Sequence, residues 1–267
     1  MTKIRMGMVG GGEGAFIGAV HRMAAALDGN IELVCGAFSS DPKRAQRSGV
    51  ALNLPAERVY TDYLQMMHAE AALPAAERMQ FVAIVTPNHL HLPVARAALE
   101  SGFHVLSDKP ATLNLAEALE LRGLVENSKR LYGLTHTYIG YPLVKEARER
   151  VARGELGQVR KIVVEYPQGW LADRQEDTDN KQAVWRLDPA QAGVSSCMGD
   201  IGVHAANLAE YVSGQSISEL CADLNAFVDG RELDDDGSVL LRFDGGDSLS
   251  EDGTIGSLAG QSGFRVI

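Results

Sequence analysis

The stretch that most restricts what this chain can fold into is residues 4–27. A short apolar run, residues 4–9, ends in Gly10-Gly11-Gly12-Glu13-Gly14, and residues 16–27 (FIGAVHRMAAAL) then carry apolar side chains at helical spacing. Strand, glycine turn and helix in that order open a βαβ unit. Gly10-x-Gly12-x-x-Ala15 fits the G-x-G-x-x-G/A spacing. One small residue permits the tight turn, the next lets the backbone approach a pyrophosphate, and the helix start offers unpaired N–H groups and a partial positive charge. Gly10, Gly12, Gly14, Ala15 and Phe16 are therefore the expected dinucleotide contacts of this turn. A plain surface turn is the alternative, and the strand and helix on either side argue against it.

The rhythm that follows extends the unit. Residues 31–38, 81–85, 103–106 and 131–135 read as strands, separated by helical stretches at 89–100 and 113–127 and by a helix start at Asp41-Pro42. Alternation of this kind predicts an α/β Rossmann domain, a doubly wound parallel sheet with helices on both faces. After residue 136 the pattern becomes α+β. A helix is expected at 144–153, a strand at 159–166, a polar acidic loop at 170–180, a helix at 201–212, and strands at 217–227 and 238–243 around an acidic turn, Asp234-Asp235-Asp236. The expected division is residues 1–136 for dinucleotide binding and residues 137–267 for substrate binding and oligomerisation, on a mostly antiparallel sheet. Residues 244–261, rich in Gly, Ser and Asp, read as loop or disorder, with one more short strand at 263–267.

Composition narrows the function classes. A net charge of −10 disfavours nucleic acid or an anionic membrane as partner, because phosphate binding needs clustered Lys and Arg. It does not disfavour a nucleotide held by backbone N–H groups. Cys35, Cys197 and Cys221 form no C-x-x-C pair, which argues against a disulfide framework or a zinc site and fits a reducing cytoplasm. No apolar run approaches the ~18 residues of a membrane span, and the N-terminus is too Gly-rich for a secretory signal. No metal is expected. Where NAD sites carry an acid after the second strand, this chain has Phe38-Ser39-Ser40, with Asp41 as a helix cap and Lys43 and Arg44 beyond. Hydroxyls plus cations suit a 2′-phosphate, so the reading leans to NADP over NAD. Lys43 and Arg44 as a solvated helix face is the alternative.

Three further motifs follow in order: Thr86-Pro87-Asn88-His89-Leu90-His91, Ser107-Asp108-Lys109-Pro110, and Gly199-Asp200-Ile201-Gly202-Val203-His204. Together with the glycines they make the chain, from residue 4 to about residue 243, resemble the Gfo/Idh/MocA oxidoreductases. That resemblance implies an NAD(P)-dependent dehydrogenase acting on a secondary alcohol of a sugar, cyclitol or related polyol. It implies that Thr86, Pro87, Asn88 and His91 flank the cofactor with Asp108, and that Lys109 reaches the reacting centre. Asp200, Gly202 and His204 match the family's D-x-G-x-H segment, which supplies substrate contacts and a general base. His136, Tyr138, Trp185 and Arg186 match residues around the substrate pocket, with interface packing the alternative for the aromatics. Two positions depart from the pattern: Asp108 replaces the Glu of E-K-P, and Asn207 stands where a further Asp often follows. The family's third glycine and its following His would be Gly18 and His21, which implies a longer turn around residues 13–15. Relatives are generally longer and often dimers or tetramers. The resemblance therefore implies a homo-oligomer and a second domain incomplete at its C-terminal end, with an exposed sheet edge.

The chemistry can also be argued from the residues. Oxidising an alcohol moves a hydride, which no side chain accepts, so a cofactor is required. The proton acceptor should titrate near neutrality, which favours His204. If Asp200 and His204 share a helix, they share a face and Asp200 can orient the ring. Lys109 follows a strand's C-terminal end, where ligands bind in open α/β sheets, and its cation suits a developing alkoxide. Each has a bland reading: a surface turn for Lys109, a helix cap for Asp200, a core histidine for His204. Their joint order favours catalysis. A non-catalytic NAD(P)-binding sensor, or an enzyme using transient oxidation to drive elimination, are the alternatives.

Overall fold

The chain divides into two compact units, Met1–Thr135 and His136–Ile267, in a computed structural model that describes residues 3–244 and the strands Thr254–Leu258 and Gly263–Arg265. The first unit runs β1 (Ile4–Gly10), α1 (Ile17–Ala26), β2 (Ile31–Ala37), α2 (Pro42–Ala51), β3 (Val59–Tyr60), α3 (Tyr63–Ala72), β4 (Phe81–Val85), α4 (His91–Glu100), β5 (His104–Ser107), α5 (Leu115–Ser128) and β6 (Tyr132–Leu134). All its strand pairs are parallel, in the order β3-β2-β1-β4-β5-β6. The strands are apolar on both faces because both are covered. Val82, Ile84 and Val105 pack with Val94, Ala98, Phe103 and the methionines 66, 67 and 79 on one side, while Met6, Met8, Ala83 and Val85 pack with Phe38 on the other.

Side chains set the helix starts. Asp41 accepts from the Arg44 N–H at 2.7 Å ahead of Pro42, and Asp62 accepts from Gln65 N–H at 2.9 Å. Asn114 accepts from Glu117 N–H while Glu117 reaches back to Leu113 N–H, both at 3.0 Å, a reciprocal cap on α5. β3 and α3 were not expected. Glu70 is the reason: it lies on the buried face of α3 and breaks the apolar stripe. Its carboxylate is held by the Arg58 guanidinium, the Tyr60 hydroxyl and the Met79 N–H.

The second unit begins with a 3-10 turn (Thr137–Gly140) and continues through α6 (Pro142–Ala152), β7 (Lys161–Pro167), α7 (Lys181–Arg186), α8 (Pro189–Ala192), a π-helical turn (Met198–Gly202), α9 (Val203–Ser213), β8 (Ser216–Asn225), β9 (Asp236–Asp244), β10 (Thr254–Leu258) and β11 (Gly263–Arg265). β9 pairs antiparallel with β8 and β10, and β7 pairs antiparallel with β11. The β10–β7 and β11–β9 pairs are parallel, so the small sheet is antiparallel in the main and mixed where β10 and β11 enter. Ile201, Ala205 and Ala209 pack on Val239, Leu241 and Phe243, with Ile162, Val164 and Tyr166 beside them. Two expectations change here, and the short helices α7 and α8 fall in a stretch to which no element was assigned. The helix expected from residue 201 opens with a π turn. Within residues 244–261, read as loop, lie the last residue of β9, Asp244, and β10; residues 245–253 and 259–261 fall outside the described residues.

α1 meets the glycine turn with nothing between backbones. A Cβ at Gly18 would stand 2.3 Å from the Gly11 Cα and 2.7 Å from its carbonyl oxygen. Gly18→Ala is expected to destabilise the chain by about 1–3 kcal/mol through overpacking. Gly123→Ala, mid-α5 with nothing within 4 Å, should instead stabilise it by about 0.5–1 kcal/mol. Urea unfolding of both variants checks this, and equal effects would contradict the packing argument.

Candidate functional site

The glycine turn is shaped for a group that approaches the backbone. Gly10, Gly11 and Gly14 have φ of +83°, +69° and +78°. A Cβ on Gly10 would meet the Val85 carbonyl oxygen at 2.9 Å, and one on Gly12 would meet Ser48 Oγ at 2.8 Å. Arg22 from α1 donates to the Gly11 carbonyl at 2.7 Å and fixes the turn. Phe16 is the N-cap of α1 and no side chain accepts the first N–H groups of that helix. A cradle that side chains would fill, facing an uncapped helix start, fits a pyrophosphate. Gly10, Gly11, Gly12 and the start of α1 would hold it.

One expected contact changes role. Ala15, taken as the third small residue of the fingerprint, lies in the turn and donates its N–H to the Gly12 carbonyl at 3.0 Å. α1 starts only at Ile17, so Gly18 makes the close helix contact, and residues 13–15 lengthen the turn. His21, one turn further, stands 3.8 Å from the Asp108 carboxylate. After β2, Ser39 Oγ accepts from Asp41 N–H at 3.1 Å, and Ser40, Lys43 and Arg44 are exposed.

The loops after β4 and β5 are joined by His91. Its ring is 1% exposed, with Nδ1 2.6 Å from the Pro110 carbonyl oxygen and Nε2 3.0 Å from that of Thr86. Both nitrogens face backbone, so the ring of His91, expected beside a cofactor, braces the Thr86-Pro87-Asn88 loop against Lys109-Pro110. Burial pushes its pKa down, against the pull of the two carbonyls. Asp108 has a similar task. Its carboxylate accepts from the Lys109 N–H at 2.8 Å and from Thr135 Oγ1 at 2.9 Å. Burial alone would raise its pKa, but His21, the Lys109 N–H and Thr135 together hold it at about 2. Lys109 thus leaves the end of β5 from a backbone fixed on two sides.

In the second unit the structure gathers His136, Tyr138, Trp185, Arg186, Asp200 and His204. The His204 ring sits edge-on to Tyr138 at 4.7 Å and to His136 at 5.8 Å. Tyr138 and Tyr166 share a hydrogen bond of 2.6 Å between hydroxyls. Arg186 Nε lies 3.7 Å from the Asp200 carboxylate, with its guanidinium 4.2 Å from the Trp185 ring centre and 5.9 Å from that of Trp170. Burial, then the Tyr166 hydroxyl, then the charge of Asp200 raise the Tyr138 pKa, so that phenol remains a hydrogen-bond donor. Sequence reasoning missed Tyr166, Gln168 and Trp170. The chain Trp170 Nε1 to Gln168 Oε1 (3.1 Å) and Gln168 Nε2 to Tyr166 (3.3 Å) lines the same place. The period-2 pattern of β7 puts Tyr166 on the face of Ile162 and Val164, which was the available signal.

The acidic turn holds this group. Asp234, Asp235 and Asp236 are all buried. The Asp234 carboxylate accepts from Ser196 N–H and Met198 N–H, both at 2.9 Å, and from Ser195 Oγ at 3.0 Å, anchoring the turn that carries Asp200. Asp235 accepts from Phe227 N–H and Val228 N–H and from Arg231. The Arg231 guanidinium also donates to Glu176, the Leu171 carbonyl and the Asp173 carbonyl, tying down the loop after Trp170. Burial and the nearby Asp234 charge push the Cys197 thiol up to about 12, so it stays protonated. Among the described residues no cluster of His, Cys, Asp and Glu could hold a metal, and no helix is long and apolar enough to cross a membrane.

Comparison with known proteins places this geometry. Residues 4–136 match the oxidoreductase family with an NAD-binding Rossmann fold, and residues 144–263 match the GFO/IDH/MocA C-terminal domain. An inositol dehydrogenase homolog of Azotobacter vinelandii, solved with NAD+, is 35% identical and superposes with a TM-score of 0.87 over 98% of this chain and 69% of its own. The uncharacterized oxidoreductase YfiI of Bacillus subtilis is 34% identical over 84% of this chain and 57% of its own length. Levoglucosan dehydrogenase of Pseudarthrobacter phenanthrenivorans is 27% identical over 80% of this chain and 52% of its own. The chain belongs to the Gfo/Idh/MocA family. It spans just over half the length of these two curated relatives.

Two consequences can be measured. Asp108, with a folded pKa of about 2 against an ordinary 3.8, contributes stability that is complete above about pH 4 and is lost as pH falls toward 2. Asp108→Asn should therefore cost about 2 kcal/mol at neutral pH, and the gap to wild type should close below about pH 4. A gap independent of pH would contradict this. Arg231→Met leaves the buried Asp235 and the half-buried Glu176 without their cation and should cost about 3–5 kcal/mol in chemical denaturation. A loss under 1 kcal/mol, about the worth of a surface pair, would show that the cluster does not hold the loop.

Proposed function

We propose that this chain is an NAD(P)-dependent oxidoreductase that moves a hydride between a nicotinamide dinucleotide and a secondary alcohol of a sugar, cyclitol or related polyol. In this reading the first unit holds the dinucleotide and the second the polyol. The observation that carries it is the grouping of His204, Asp200 and Arg186 with Tyr138 and the Trp170 and Trp185 rings. Aromatic faces beside charged hydrogen-bonding groups suit a ligand with apolar ring faces and several hydroxyls. Two relatives, an inositol dehydrogenase homolog and a levoglucosan dehydrogenase, support the same substrate class.

The dinucleotide, when bound, supplies the hydride acceptor. The protein's part is the proton and the orientation. The His204 imidazole takes the hydroxyl proton as the carbon–hydrogen bond breaks. Asp200, a helical turn before it, positions the reacting and neighbouring hydroxyls with Arg186. Lys109 supplies a cation for the charge that develops on the substrate oxygen. The rigid backbone around Asp108 and His91 fixes where that cation starts.

The test is turnover with NAD+ or NADP+ against a panel of cyclitols and aldoses, followed by absorbance of the reduced nicotinamide. His204→Ala should lower kcat by about 10²–10⁴-fold while dinucleotide affinity stays unchanged. Lys109→Ala should lower kcat by a similar order. Dinucleotide binding with no turnover on any polyol, or turnover indifferent to His204→Ala, would overturn the proposal.

A further inference from the structure

We infer that Glu13, carried by the lengthened glycine turn, selects NAD over NADP; this rests on the dinucleotide reading of that turn. A Rossmann site chooses between the two by what faces the adenosine ribose at the end of the second strand: a carboxylate accepts from the 2′-OH, and cations bind a 2′-phosphate. After β2 this chain offers Ser39, Ser40, Asp41, Lys43 and Arg44, which alone favours the phosphate. Asp41 does not change that, because its carboxylate is turned into the start of α2, where it accepts from the Arg44 N–H at 2.7 Å.

The turn brings a second acid to the same place. Gly12 lies so close to Phe38, the residue before Ser39, that a Cβ there would stand 2.9 Å from the Phe38 Cβ and 3.0 Å from its carbonyl oxygen. The next residue, Glu13, donates its N–H to Ser48 Oγ on α2 at 3.0 Å. Its carboxylate accepts from Arg47 Nε on α2 at 2.8 Å. The turn thus lies against Phe38 at Gly12 and against α2 at Glu13, whose carboxylate pairs one of the α2 cations. In the inferred site Glu13 offers an acceptor to a ribose 2′-OH and repels a 2′-phosphate, which carries a charge of about −1.5 to −2 near pH 7. Arg47, which would otherwise join Lys43 and Arg44 around that phosphate, is held by Glu13.

Titration calorimetry with NAD+ and NADP+ on the whole chain tests this by affinity alone. Wild type should bind NAD+ more tightly. Glu13→Gln, which keeps shape and removes charge, should weaken NAD+ about tenfold and tighten NADP+ about tenfold, as Arg47 is released to the phosphate. Arg47→Gln should keep NAD+ binding and leave NADP+ no tighter than wild type. The pair is exposed, so unchanged thermal melts will show that each variant is folded. NADP+ binding as tightly as NAD+ to wild type, or an affinity ratio that Glu13→Gln leaves unmoved, would overturn the inference and leave the dinucleotide reading standing. Failure of wild type to bind either dinucleotide would overturn both.

Discussion

The close approach of Gly18 to Gly11 is the contact on which the first unit is arranged. With no side chain between them, α1 lies directly on the turn that leaves β1, and its uncapped start faces the edge where the central strands end. β1 sits between β2 and β4, so successive connections depart in opposite directions and open a crevice there. The parallel register does the rest. Val9 is level with Ala37, Gly10 with Val85, and Ile84 with Ser107. The residues that follow those strands, the glycines, Ser39, Thr86 and Lys109, therefore emerge along one edge. His91 and Asp108 then bind the last two of these loops to the scaffold through backbone carbonyls and N–H groups.

The second unit solves its positioning problem with buried charge. Two adjacent carboxylates, Asp234 and Asp235, are satisfied in different directions, one by the turn that carries Asp200 and one by N–H groups and Arg231. The guanidinium carries the connection on to the loop after Trp170. Burying these groups is tolerable only because each finds partners, and removing one partner strands the others. The helix bearing His204 and the loop bearing Trp170, far apart in sequence, are thereby set from one turn.

What the sequence made legible follows from how local each signal is. β1, β4, the glycine turn and the Asp41 cap all show in a few neighbouring residues, and the motif order carries the family. α3 did not show because Glu70 sits on its buried face, and only Arg58, Tyr60 and Met79 make that acceptable. Ala15 matched a spacing rule, yet α1 begins two residues later and passes the role to Gly18. His91 sits in a motif that reads as a ligand contact, and the carbonyls that occupy its ring come from two loops that the sequence does not show to be neighbours. β10, Thr254–Leu258, is defined by backbone pairing with β7 and β9, and its own residues carry little strand signal. The acidic turn looked like any charged loop, since nothing in Asp234-Asp235-Asp236 announces the N–H groups that bury it.

The central claim is that the chain moves a hydride between a polyol carbon and a nicotinamide ring. Isotope transfer tests it most directly. The purified chain would be incubated with NAD+ or NADP+ and a carbon-deuterated cyclitol or sugar, and the dinucleotide examined by mass spectrometry and by proton NMR at the nicotinamide C4. The account predicts a reduced dinucleotide carrying one deuterium on a single face of C4, since a fixed site presents only one face. Saturable dinucleotide binding with no deuterium transferred from any cyclitol or sugar would contradict it.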